Sequence, residues 1–137
     1  MADDLIITVP NYGWRGAVHV IYGSRNGLTS RGDQVWRQST PGIPGVAEEE
    51  DRFGEHVVAA DFGNNPSSQR YADLAVSSPV ESVNGVGAAG TVHVLSGSAE
   101  GLRPQPVQLW REDRLSARLV DHRNVSFGGF GALLAGR

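Results

Sequence analysis

The chain has 137 residues, 39% of them hydrophobic, and a formal net charge of −3 with the signs interspersed. That suits one domain with a core of its own. It offers no apolar run near the ~20 residues of a membrane-spanning helix, and no basic stripe of a nucleic-acid binder. Cysteine and lysine are both absent, which excludes disulfides, thiolate metal sites, Schiff-base lysines and the phosphate-loop lysine.

In chain order, short Val/Ile/Leu-rich runs alternate with Gly/Pro/Asn/Ser clusters, the pattern of strands joined by turns. The opening MADDLIITVPNYG has no basic region or long apolar stretch and does not read as a signal peptide. Eight strands are expected, over 4–9, 16–22, 34–38, 54–60, 73–78, 90–96, 106–111 and 129–135. The fold class is therefore all-β.

The chain also repeats itself. GAVHVIYGSRNGL (16–28) matches GTVHVLSGSAEGL (90–102), and QVWR (34–37) matches QLWR (108–111), both at an offset of 74. DLIITVP (4–10) matches DLAVSSP (73–79) at 69, and FGEHVVAA (53–60) matches FGALLAGR (130–137) at 77. Gly27 and Gly101 supply the positive φ that the turns after the GS pairs need. Trp36 and Trp110 are expected to anchor neighbouring units. With the unit written A-B-C-D, the chain reads B-C-D (4–38), A-B-C-D (53–111), then a last A strand (129–135).

Phe53-Gly54, VVAAD, YADLAVSSP and GTVHVLSGSAEGL together resemble the FG-GAP repeat, the blade of integrin α-type β-propellers, over nearly the whole chain. The family's GAP element is SSP at 77–79 and TVP at 8–10. The resemblance implies four-stranded antiparallel propeller blades, two per chain. Two blades cannot close a ring, and open blades leave strand edges unpaired. Strand 129–135 of one chain would then complete the B-C-D sheet of the next in a head-to-tail ring, a trimer being favoured over a tetramer. The other reading is a fragment of a longer propeller. The family is often extracellular; localisation stays open.

The resemblance further implies calcium in the A–B loop. In DFGNNPSSQRYAD, Asp61 and Asp73 fit the first and last ligand positions and Asn65 a middle one, while Gly63 replaces a ligand and the central Asp-Gly pair is missing. Calcium takes six to eight oxygens, so the alternative is that Asp61 shapes the turn and Asp73 bonds backbone amides.

Other residues carry weaker signals. Tyr12, Trp14 and Arg15 form an aromatic-basic cluster in the B–C loop 10–16, and Glu81 and Asn84 lie in the matching loop 79–90. On a propeller these share a rim with the D–A connection, and suit a carbohydrate or protein ligand; the plainer reading is that Trp14 covers a blade end. EEED (48–51) reads as a solvated acidic turn. The RGD tripeptide at 31–33 falls where a turn before strand D is expected. His19 and His93 occupy one repeat position and read as strand residues. No catalytic residue is assigned and no nucleophile motif is present. The expected function is a non-catalytic binding or scaffold module, lectin-like in its concrete form, with an enzyme at the channel mouth as the alternative.

Overall fold

A computed structural model describes residues 2–63, 71–111 and 114. Within them the protein is all-β and antiparallel. A three-stranded sheet has the order β1-β2-β3, from Leu5–Val9, Ala17–Ser24 and Gly27–Trp36. A four-stranded sheet has the order β4-β5-β6-β7, from Val57–Ala60, Asp73–Ser78, Thr91–Ser98 and Gly101–Trp110. No described helix is long and apolar enough to cross a membrane. The expected strand at 129–135 lies outside the described residues.

The sequence repeat is a structural repeat. Leu5 pairs Ile21 as Leu74 pairs Leu95, and Val18 pairs Trp36 as Val92 pairs Trp110. Each GSxxGL stretch makes the same turn. Ser24 Oγ donates to the Gly27 carbonyl and Ser98 Oγ to that of Gly101, both at 2.7 Å, and both glycines sit at φ +103°. These hairpins are tighter than the sequence suggests, so β3 and β7 begin at Gly27 and Gly101 rather than at 34 and 106. Each long strand absorbs its extra residues in a bulge, opposite Val20–Tyr22 in one sheet and Val94–Ser96 in the other. The Arg31-Gly32-Asp33 tripeptide is therefore inside β3, at its bulge, and not in a preceding turn. Asp33 is held there by His19 Nε2 at 2.6 Å.

The aspartate that opens each B strand has a structural task. Asp4 Oδ1 accepts the Gly23 N–H and Asp73 Oδ1 accepts the Gly97 N–H, both at 2.8 Å. A side chain at either glycine would collide with the backbone just before the aspartate, at Asp3 or Ala72, so the strands approach closely only as Gly.

The main core lies between the sheets. Val18, Val20 and Trp36 from one meet Leu74, Val76, Leu95 and Leu102 from the other, joined by Ile43 and Phe53 from the connection. Phe53 is fully buried and meets the His93 ring edge-on at 5.6 Å. Tyr22 and Gln34 clasp the second sheet directly. The Leu102 N–H donates to the Tyr22 hydroxyl (2.9 Å) and to Gln34 Oε1 (3.0 Å), and Gln34 Nε2 donates to the Leu102 carbonyl (3.0 Å). A Cβ on Gly101 would strike both side chains.

The two sheets stack with unlike faces together. The face of the second sheet that carries Leu74, Val76, His93 and Leu95 packs inward. Its repeat counterpart, with Leu5, Ile7, His19, Ile21 and Val35, faces outward on the first sheet. Leu5, Ile7, Val9 and Val35 are accordingly exposed, whereas every residue of β5 is buried. The inward face of the first sheet, with Val18, Val20 and Trp36, has its counterpart in Val92, Val94 and Trp110. One expectation divides here: Trp36 is 5% exposed and anchors the core, but Trp110 is 44% exposed.

Candidate functional site

The connection between the sheets, residues 37–56, crosses one rim and binds both B–C loops. The Glu50 N–H donates to the Trp14 carbonyl and the Phe53 N–H to that of Arg15. Within the Phe-Gly pair, the Gly54 N–H donates to the Ser77 carbonyl. Gly16 (φ +93°) admits this packing because any Cβ there would enter the Phe53 backbone. The Phe-Gly motif thus fastens the end of one sheet to the start of the next.

Under the connection is a cavity of about 230 Å³. Residues 44–46 and 48 form its roof, 81–84 the loop side, and Thr91, His93, Leu109 and Arg111 the sheet side. Glu81 is only 5% exposed and accepts from Gln38 Nε2 at 2.5 Å. Asp51, 2% exposed, accepts the Glu48 N–H at 2.6 Å and also interacts with the Glu81 carboxyl. Burial pushes Glu81 up to about 7; the Gln38 amide pulls it down, and the Asp51 and Glu48 carboxylates push it further up. Burial raises Asp51 too, against the Glu48 amide and the Arg15 charge. Two buried carboxyls side by side are more stable sharing a proton than fully ionised.

The sheet wall adds unsatisfied groups. His93 Nε2 lies 2.8 Å from the Pro44 carbonyl, so that nitrogen carries the proton and donates, which leaves Nδ1 as an acceptor. Burial lowers the His93 pKa, which keeps the ring neutral. His93 Nδ1, Thr91 Oγ1 and Gln38 Oε1 are buried and have no hydrogen-bond partner among the described residues.

The sequence-predicted residues divide. Glu81 and Asn84 both line the cavity. Asn84 also serves the loop: with Gly85 it takes positive φ between the bridged Val83 and Val86, as a tight hairpin turn demands. Arg15 acts on Asp51 electrostatically and so reaches the same network. Tyr12 is covered by Arg37, whose guanidinium stands 4.9 Å from the ring centroid. Trp14, at φ +64° and 73% exposed, is the most exposed large apolar residue described. EEED is not uniformly solvated: its three glutamates are exposed and its aspartate is buried. Gln38, Thr91 and His93 were not singled out for a site. The signals legible in the sequence for this corner were Arg15, Glu81 and Asn84; Asp51 was read as part of a solvated turn.

In the described part of the A–B loop both aspartates bond backbone amides. Asp73 is fully buried, and its two oxygens accept the Phe62 and Gly97 N–H groups. Asp61 Oδ1 accepts the Gly63 N–H at 3.0 Å, an Asx turn. Asn65 lies outside the described residues. No group of three or more His, Cys, Asp or Glu side chains placed to hold a metal ion occurs among the described residues, and residues 64–70 of this loop lie outside them.

No protein-family model matches the chain, and no curated protein matches it.

Proposed function

We propose that this chain is a non-catalytic binding and scaffold module made of FG-GAP-like blades, which associates head to tail with copies of itself, three per ring in preference to four. The observation that carries the reading is the stacking of unlike faces. The outward face of the first sheet is the counterpart of a face that the second sheet already buries. What fits it is a surface like Val18, Val20 and Trp36; the repeat counterpart of that surface is Val92, Val94 and Trp110, of which the two valines are buried within this chain and Trp110 is exposed. Such a contact is heterologous and propagates until a ring closes. Among the described residues no strand pairs the outer edge of β1 where β5 has β4 beside it, and 130–137 matches 53–60, the segment that runs into β4. The test is solution mass by light scattering. The expected result is three or four times the chain mass of 14.6 kDa; a monomer at all concentrations overturns the ring.

In this reading ligands dock on the connection rim, at the exposed Trp14, at the Arg37-covered Tyr12 or in the cavity under the connection. A second reading, an acid–base enzyme, draws on the Asp51–Glu81 pair, since neighbouring carboxyls with displaced pKa values are a common catalytic device. Binding is favoured because Asp51 is already held by a backbone amide and almost wholly enclosed. Hydrolysis of a glycoside that disappears in Asp51→Asn would reverse that preference.

A further inference from the structure

We infer that the seam cavity binds a small group carrying a protonated primary amine on a short apolar stem. The inference rests on the chain being a binding module, and not on its self-association. Hydrogen-bond acceptors dominate this corner of the fold. Thr91 and His93 belong to the lining and are both at least nine-tenths buried, and Thr91 Oγ1 and His93 Nδ1 have no hydrogen-bond partner among the described residues. Gln38 Oε1, behind Glu81, is unsatisfied as well. Glu48 and Glu81 add carboxyls to the lining, with Asp51 behind them. Buried polar atoms without partners are costly; His93 Nδ1 and the carboxyls can only accept, and the Thr91 hydroxyl can accept or donate, so a ligand rich in N–H groups can satisfy all of them where an anion would oppose the carboxyls. Pro44, Val46, Val83 and Leu109 supply the apolar remainder, which suits a methylene stem.

The charges around the site agree with a cation. Glu48, Glu81 and Asp51 outnumber Arg111, which has an interaction of its own, and Arg15 acts on Asp51. His93 is kept neutral. The chain contains no lysine, so a copy of itself cannot supply the amine from a side chain. The source is a free alkylamine or a lysine of another molecule. A cation seated at Glu81 favours the ionised carboxylate, so binding releases a proton and strengthens as pH rises through about 7.

The experiment is calorimetric titration of the full chain with n-butylamine and with Nα-acetyl-lysine amide, at pH 6 and pH 8, with glucose as a neutral control. The expected result is one amine site per chain, tighter at pH 8, with proton release. Binding of butylamine alone indicates a free amine, and binding of both admits a lysine side chain. Glu81→Gln keeps the shape and should weaken binding roughly tenfold or more; Thr91→Val, at the other wall, should also weaken it. Absence of amine binding to folded protein at pH 8, equal affinity in Glu81→Gln, or glucose binding in place of the amine overturns the inference. Solution mass measured on the same sample keeps the ring separate: a ring without amine binding loses only the amine, and amine binding to a monomer loses only the ring.

Discussion

At the residue scale, the repeat provides its own controls, because two residues of one type and one backbone conformation meet different neighbours. Gly27 and Gly101 both sit at φ +103°. Nothing lies within 4 Å of a Cβ on Gly27, while one on Gly101 meets Tyr22 and Gln34. Gly27→Ala should therefore cost only the left-handed backbone strain, about 1 kcal/mol. Gly101→Ala should cost about 2–3 kcal/mol, since it also breaks the clasp on Leu102. Equal shifts in urea midpoint for the two variants would contradict the clasp's importance. The histidine pair teaches the same lesson. His19 and His93 share one repeat position, yet one holds Asp33 near the surface and the other is enclosed against Phe53.

At the element scale, the connection is joined to the β5–β6 loop through titratable groups, so its hold should depend on pH. Burial raises Glu81 to about 7, above the ordinary ~4.3 of an unfolded chain. The folded state therefore binds this proton more tightly than the unfolded state. Its stabilisation is fully present below pH ~4.3 and is lost as pH rises through about 7. Asp51, also raised, acts in the same direction. His93 acts oppositely: its lowered pKa makes stability fall as pH drops below ~6.5, where the unfolded ring gains a proton more readily. In Glu81→Gln the decline between pH 5 and 7 should shrink, leaving the rise with pH due to His93. Thermal unfolding across that range checks it, and an unchanged profile would show that Glu81 does not titrate in this window.

Elements were the most legible part of the sequence. The β1, β5 and β6 spans were readable from alternation and from the repeat, because a strand's two faces differ in the residues themselves. The starts of β3 and β7 were not. A two-residue turn followed by a bulge looks, in sequence, like a long polar loop, and only pairing to β2 and β6 reveals that residues 27–33 and 101–105 are already strand. The candidate site was legible only in pieces. Glu81 and Arg15 stood out, but Gln38, Thr91 and His93 become neighbours of Glu81 only when the connection folds back over the second sheet.

At the scale of the whole molecule, the outward face of the first sheet decides behaviour. Leu5, Ile7, Val9 and Val35 form an exposed apolar surface on β1 and β3, the kind of surface that marks interaction sites. Ile7→Glu places a charge there without touching the inter-sheet core. It should leave the thermal midpoint of the isolated chain nearly unchanged and weaken association by at least about 2 kcal/mol, or ~30-fold. A variant that still assembles as the parent does would place the contact elsewhere.

The sequence by itself determined the repeat, the all-β class and the turn chemistry, because alternation, Gly-dependent φ and the Ser-Gly turns act between residues close along the chain. Only the tertiary structure decided which member of each repeated pair is enclosed. Trp36 is buried and Trp110 is open, and Asp51 is hidden within an acidic run, because burial is set by what a distant segment lays on top, and two identical strands do not have identical neighbours.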